Sequence, residues 1–155
     1  MTRAIVLEPI RRREREAFLA MFAPYHDELD AYDDAPADGT PIERYAAYLN
    51  DPHEHDACWI IDAVDGDRAG FVVLRYVPDW PDVARLIAEV AELYVLPAAR
   101  RRGVAAAAVE AASERARAGG AQVIEAGILA RNGPAWRFWE RMGFTTRSVR
   151  TAREL

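Results

Sequence analysis

The chain has 155 residues, enough for one domain with a full hydrophobic core and too few for two ordinary ones. Hydrophobic residues make up 51%, charged residues 29%, and the net charge is −5, which reads as globular and disfavours non-specific nucleic-acid binding. Cys58 is the only cysteine, so no internal disulfide forms, and no apolar run approaches the ~20 residues of a membrane span. Met1 to Ile5 lack the apolar stretch of a signal peptide, so the expected location is the cytoplasm.

Residues 4–7 form a strand candidate, followed by Pro9. Residues 12–22 show helical spacing, with Phe18, Leu19 and Phe22 on one side. From residue 25 to 38 the chain is acidic and without lysine or arginine, and Pro36, Gly39 and Pro41 mark a loop. Residues 41–49 suit a second helix capped by Thr40, with Ile42, Tyr45, Ala46 and Leu49 on its apolar side. Residues 57–64 and 69–77 are apolar and rich in branched side chains, and Asp65-Gly66-Asp67 between them makes a hairpin turn. Pro78, Pro81 and two aspartates form the next loop, and residues 84–96 a third long strand ended by Pro97. A helix follows to about residue 118, closed by Gly119-Gly120. Residues 122–129 read as a strand and 144–151 as a last one. Between them, residues 134–142 form a short helix with Pro134 in its first turn and Gly143 after its end. The order predicts an α/β fold, a mixed central sheet flanked by helices, with residues 92–129 as a right-handed parallel crossover.

The run Arg100-Arg101-Arg102-Gly103-Val104-Ala105 joins the third long strand to the alanine-rich helix. Free N–H groups of a first helical turn, a positive dipole end and a glycine are what a pyrophosphate needs. Neither G-x-G-x-x-G nor a P-loop is present. Cations in a first turn oppose the dipole by ~0.3–1 kcal/mol each, so Arg101 and Arg102 make sense opposite an anion. The competing reading is a solvated helix start.

Residues 93–105, with Asn132-Gly133-Pro134-Ala135 and residues 138–144, resemble the GNAT superfamily of N-acetyltransferases. Arg100, Gly103 and Ala105 fill the fixed positions of that family's Q/R-x-x-G-x-G/A motif, and Asn132, Ala135, Phe138, Gly143 and Phe144 match its second block. The resemblance covers roughly residues 69–150. It divides a single domain, 1–155, into a variable acceptor side (1–65) and an acetyl-CoA-binding half (66–155). It implies the acyl-CoA N-acyltransferase fold. The implied reaction moves an acetyl group from acetyl-CoA to a primary amine of a small molecule or peptide, by direct attack in a ternary complex without a metal. The backbone amides from Arg101 through Gly103, Val104 and Ala105 to Ala106 are expected to hold the pyrophosphate, with the guanidinium groups of Arg100, Arg101 and Arg102 nearby. The pantetheine arm is expected along Leu93, Tyr94 and Val95. Asn132 either touches pantetheine or caps a helix, and Phe138 and Trp139 line the CoA channel or the core. Trp139 stands where many members carry an acid tyrosine. An indole N–H does not give up its proton near neutral pH, which leaves Tyr94 or water to protonate the thiolate.

Direct attack needs a neutral amine, and an alkylamine of pKa ~10.4 is deprotonated only about one part in 2,500 at pH 7. Glu89 and Glu92 lie on the strand before the motif, and regular alternation puts them on opposite faces. Glu89 stands where the resemblance expects a glutamate near the amine and is the favoured base. Glu92 is either a second candidate or a surface carboxylate paired with an arginine. His26, His53 and His55 read as surface histidines. The acidic stretch is either a rim for a cationic acceptor, such as a polyamine, an aminoglycoside or a lysine side chain, or a solubilising loop. Tyr25, Tyr32, Trp80 and Trp136 either cover the acceptor or pack in the core, where Cys58 is also expected. Two other readings compete: an acyl-CoA-binding module without turnover, and a phosphate-binding protein unrelated to CoA. Chains of this kind often form homodimers, and no sequence feature decides for one here.

Overall fold

The structure, a computed structural model, describes residues 3–33 and 41–155. Five strands form one sheet in chain order: β1 (Ile5–Pro9), β2 (Asp56–Asp62), β3 (Arg68–Asp79), β4 (Asp82–Val95) and β5 (Val123–Ala126). The first four pair antiparallel, and β5 joins β4 in parallel. The described helices are α1 (Arg15–Asp30), α2 (Ile42–Leu49), α3 (Val104–Ala118) and α4 (Gly133–Arg141). The expected mixed sheet flanked by helices is therefore present. None of these helices is long and apolar enough to cross a membrane.

Strand alternation sorts the core into two halves. Phe71 and Val73 of β3 meet Phe18, Phe22 and Tyr25 of α1 and Ala46 and Leu49 of α2. Val72 and Leu74 meet Val104, Ala108 and Ala112 of α3 and Trp139 of α4. At Gly70 an added Cβ would lie 1.9 Å from the Tyr94 carbonyl oxygen, so β3 approaches β4 this closely only with glycine there.

One irregularity in this sheet positions the site. Val73 faces Glu92 but Leu74 faces Val90, so Ala91 is an extra residue in β4, a β-bulge. Pairing between β4 and β5 ends just before it, at Val90–Ala126. From Ala91 to Val95, β4 has a strand neighbour only on the β3 side.

Sequence expectations give way at α1, at residues 144–151 and at β5. α1 continues through Pro24 to Asp30, so the start of the acidic stretch is helix surface rather than loop. Burial of Phe18, Phe22 and Tyr25 along one side holds the helix across a residue that lacks an N–H. The expected cap Thr40, with Asp34, Pro36, Asp38 and Gly39, lies outside the described residues. Residues 144–151 form no strand, and β5 is only four residues long. Strand-like composition needs a main-chain partner to become a strand. Here Phe144 packs on Trp139, with ring centroids 4.7 Å apart, and Arg147 reaches Glu125 of β5 through its side chain.

Candidate active site

β4 runs into a short 3-10 turn (Pro97–Ala99), and the chain enters α3 through two left-handed residues, Arg101 (φ 59°) and Gly103 (φ 78°). A side chain at Gly103 would meet nothing within 4 Å, so glycine is required here for its conformation, and the space beside it is open. No side chain caps α3. The first bond inside the helix runs from Ala107 N to Gly103 O (3.0 Å), which leaves the N–H groups of Val104, Ala105 and Ala106 without helical acceptors. Together with the dipole and the exposed Arg101 and Arg102, these amides present the groups that an anion would need.

Arg100 departs from its expected place among those cations. Its Nε donates to the Val95 carbonyl (2.8 Å), and a terminal nitrogen donates to both carboxylate oxygens of Glu28 on α1 (2.9 Å each). The guanidinium also lies 5.4 Å from the centroid of the Tyr94 ring. Arg100 is thus folded back as a brace between β4, α1 and the turn. The ladder leaves the Val95 carbonyl pointing away from β3, since Leu96 N bonds Ala69 O (2.8 Å) and Val95–Gly70 is a non-hydrogen-bonded pair. The N–H and C=O of one strand residue point the same way, so the Val95 N–H also faces the open side of β4.

The bulge overturns the expected separation of the two glutamates. An extra residue between them resets the alternation, and both side chains lie on the α1–α2 face. Their surroundings are also exchanged relative to expectation. Glu89, half-exposed, is the one paired with an arginine: Arg75 donates from Nε (2.8 Å) and from a terminal nitrogen (2.5 Å) to the same carboxylate oxygen. Glu92 is 8% exposed, and the groups beside it among the described residues are Tyr25, Tyr45 and His26 rather than an arginine. Tyr25 on α1 donates to one of its oxygens (2.5 Å) and Tyr45 on α2 to the other (2.7 Å). Burial pushes the Glu92 carboxyl above the usual carboxylate range, against the pull of the two hydroxyls and the nearby His26. Burial and the facing carboxylate in turn push both tyrosine hydroxyls up, so the tyrosines stay protonated donors. A buried carboxylate whose protonated form is favoured in this way is a candidate proton acceptor.

The other expected residues divide between core and site. Tyr94 is 4% exposed, packed against Tyr25 (5.2 Å between ring centroids) and Phe71 (5.7 Å), with its hydroxyl near Arg100. Leu93 is half-buried on the α3 side. Asn132 caps α4, its side-chain oxygen accepting from Ala135 N (3.1 Å). Trp139 is 7% exposed and belongs to the core beneath α3, between Phe138 and Phe144. Of its two expected places, channel or core, the core is the one it takes. Phe138 is half-buried at the edge of that cluster. His55, expected at the surface, is buried under Tyr48. Trp80 is exposed, so of its expected places the core is not the one it takes. Cys58 is buried, and its thiol is pushed up to about 12 by burial and the neighbouring Asp56, so it stays protonated.

Tyr45 was legible only as one apolar position of α2. The available signal was its residue type: a tyrosine on a buried helix face requires a partner for its hydroxyl, where leucine or phenylalanine would not.

The profile of the acetyltransferase (GNAT) family matches residues 15–144. No curated protein matches the sequence. Among solved structures, a ribosomal-protein-alanine N-acetyltransferase from Brucella melitensis biovar Abortus 2308 superposes with TM-score 0.74 at 18% identity, over 98% of this chain and 99% of that one. A transcriptional regulator from Bacillus halodurans C-125 gives 0.74 at 18%, over 98% and 100%. An aminoglycoside acetyltransferase from an uncultured soil metagenomic sample gives 0.69 at 20%, over 98% and 99%. At these identities the three share a fold with this chain.

Proposed function

The chain belongs to the acetyltransferase (GNAT) family, and on that premise we propose that it transfers an acetyl group from acetyl-CoA to a primary amine of a small molecule or peptide. The observation that carries this reading is the coincidence of three features at one end of β4: the Ala91 bulge, the loss of β5 pairing beyond Val90, and the uncapped α3 start behind Gly103. The amides of Val104 to Ala106, with Arg101 and Arg102, suit a pyrophosphate. The open side of β4 along Leu93 and Val95 suits the amide groups of a pantetheine arm, with the Val95 N–H still available. Among the described residues the Asn132 side chain is hydrogen-bonded through its oxygen, and in this reading its amide nitrogen and Phe138 serve the same arm. Acetyl-CoA supplies the activated thioester, and the chain's own residues supply orientation and proton transfer.

Glu92 is the general base in this reading. Its burial and its place one residue beyond the bulge favour it over Glu89, whose charge is already met by Arg75. The amine loses its proton toward Glu92 and attacks as the neutral base, which offsets the ~4.6 kcal/mol deficit of a protonated alkylamine at pH 7. We assign proton donation to the departing thiolate to water rather than Tyr94. That hydroxyl stays beside Arg100, and a thiol of pKa ~8.5 leaves readily without an acid. The protonated, buried Cys58 favours direct attack over an acyl-enzyme. Incubation with acetyl-CoA and a panel of amines, with mass spectrometry of the amines, tests the assignment. An acetylated amine is the expected product. Saturable acetyl-CoA binding with no acetylated amine across the panel would leave a binding module in its place.

A further inference from the structure

Each Glu92 oxygen already accepts from a tyrosine hydroxyl, and at 8% exposure the carboxylate offers an amine little surface for direct contact. The two hydroxyls are not equivalent. Tyr25 is 9% exposed, is enclosed by the rings of Phe22, Phe71 and Tyr94, and its oxygen also lies against the backbone amide of Leu93. It has no room for a further partner. Tyr45 is half-buried, and among the described residues its hydroxyl has one hydrogen bond, the one it donates to Glu92. A phenol that donates one hydrogen bond still has two lone pairs with which to accept.

We infer that Tyr45 relays the proton: its oxygen accepts a proton from the acceptor amine while its own proton passes to Glu92. The inference rests on the reading of Glu92 as the base. In the step, one N–H bond of the substrate ammonium breaks as an O–H bond forms on Tyr45. The original Tyr45 O–H bond breaks as an O–H bond forms on the Glu92 oxygen 2.7 Å away. The amine and Glu92 end neutral, and Tyr45 ends as the neutral phenol it was. No phenolate accumulates, in keeping with the burial and the adjacent carboxylate that hold the Tyr45 proton on. Tyr25 is a positioning residue that fixes the Glu92 rotamer. The charged and titratable groups facing this pair are Tyr25 and His26 from α1, Tyr48 from α2, Arg75 from β3 and Glu89 beside it on β4.

The test is the rate of acetylation by wild type, Tyr45→Phe, Tyr25→Phe and Glu92→Gln. Each is measured across pH with two acceptors: a primary alkylamine and an amine titrating several units lower. Acetyl-CoA binding by each variant confirms a folded protein. Tyr45→Phe is expected to lose on the order of 100-fold with the alkylamine at pH 7 and little with the low-pKa amine. Its recovery at higher pH should follow the titration of whichever amine is used. Tyr25→Phe, which acts only through the Glu92 rotamer, should lose less than Tyr45→Phe and on the same acceptor, the alkylamine. The relay is overturned by a Tyr45→Phe defect of the same size on both amines, by recovery at one fixed pH whatever the amine, or by no defect while Glu92→Gln is impaired. In the last case Glu92 stands as the base without Tyr45. If Glu92→Gln is also unimpaired, the base assignment itself fails.

Discussion

The Gly103→Asp substitution separates the proposed pyrophosphate seat from a mere helix start. At Gly103 the backbone is left-handed (φ 78°), and an added Cβ meets nothing within 4 Å. The cost to the fold is therefore conformational, about 1–2 kcal/mol for an ordinary side chain and less for aspartate, which tolerates this region better than most. The cost to binding is electrostatic. A carboxylate about 5 Å from one unit of phosphate charge, at an effective dielectric constant of about 20, repels it by roughly 3 kcal/mol, a factor of over 100 in affinity. Gly103→Ala carries the conformational cost without the charge and is expected to keep acetyl-CoA affinity within about tenfold. Calorimetric titration with acetyl-CoA, alongside a melting curve for each variant, resolves the two effects. A folded Gly103→Asp protein that binds acetyl-CoA as tightly as wild type would refute the placement of the phosphates at this turn.

Other outcomes follow from the same geometry. Glu92 has its carboxyl raised by burial, so the cost of ionising it is absent below the ordinary carboxylate pKa of ~4.3 and grows as pH rises toward its folded value. Glu92→Gln should therefore raise the melting temperature at pH 8 and change it little at pH 4, while abolishing most activity; an equal shift at both pH values would contradict the assignment of the burial cost. Gly70→Ala forces a Cβ against the Tyr94 carbonyl and should destabilise the fold by at least about 2–3 kcal/mol in urea unfolding, since backbone cannot give way as a side chain can. Glu89→Gln breaks a half-exposed pair with Arg75 and should cost under about 1 kcal/mol, with a pH–rate profile of wild-type shape; loss of the acidic limb in that variant would return the base role to Glu89.

The sequence carried the α3 start and both of its boundaries plainly, because Gly103, the alanine run and Gly120 each impose a local backbone choice. It carried α4 for the same reason, through Asn132, Pro134 and Gly143. The relation between Glu89 and Glu92 was not legible. A single extra residue decides it, and Ala91 has no property that marks a bulge; the two-residue period holds on either side of it. The Glu92 centre was hidden for a related reason. It is assembled from α1, α2 and β4, and Tyr25 and Tyr45 lie 67 and 47 residues away in sequence. Arg100 was read from its motif position, which fixes the backbone of the turn but not the side chain; Glu28 and the Val95 carbonyl capture the guanidinium instead. Residues 144–151 have the composition of a strand, yet pairing is a property of two segments, and among the described residues these form no ladder with β5, which Arg147 reaches by its side chain.

The most direct test of the account is the release of free CoA thiol from acetyl-CoA in the presence of a primary alkylamine at pH 7, by wild type and by Glu92→Gln. Thiol release that requires the amine, and falls on the order of 100-fold or more in Glu92→Gln with acetyl-CoA affinity preserved, is the predicted result. Equal rates in the two proteins, or no amine-dependent thiol from a wild-type protein that binds acetyl-CoA, would contradict it.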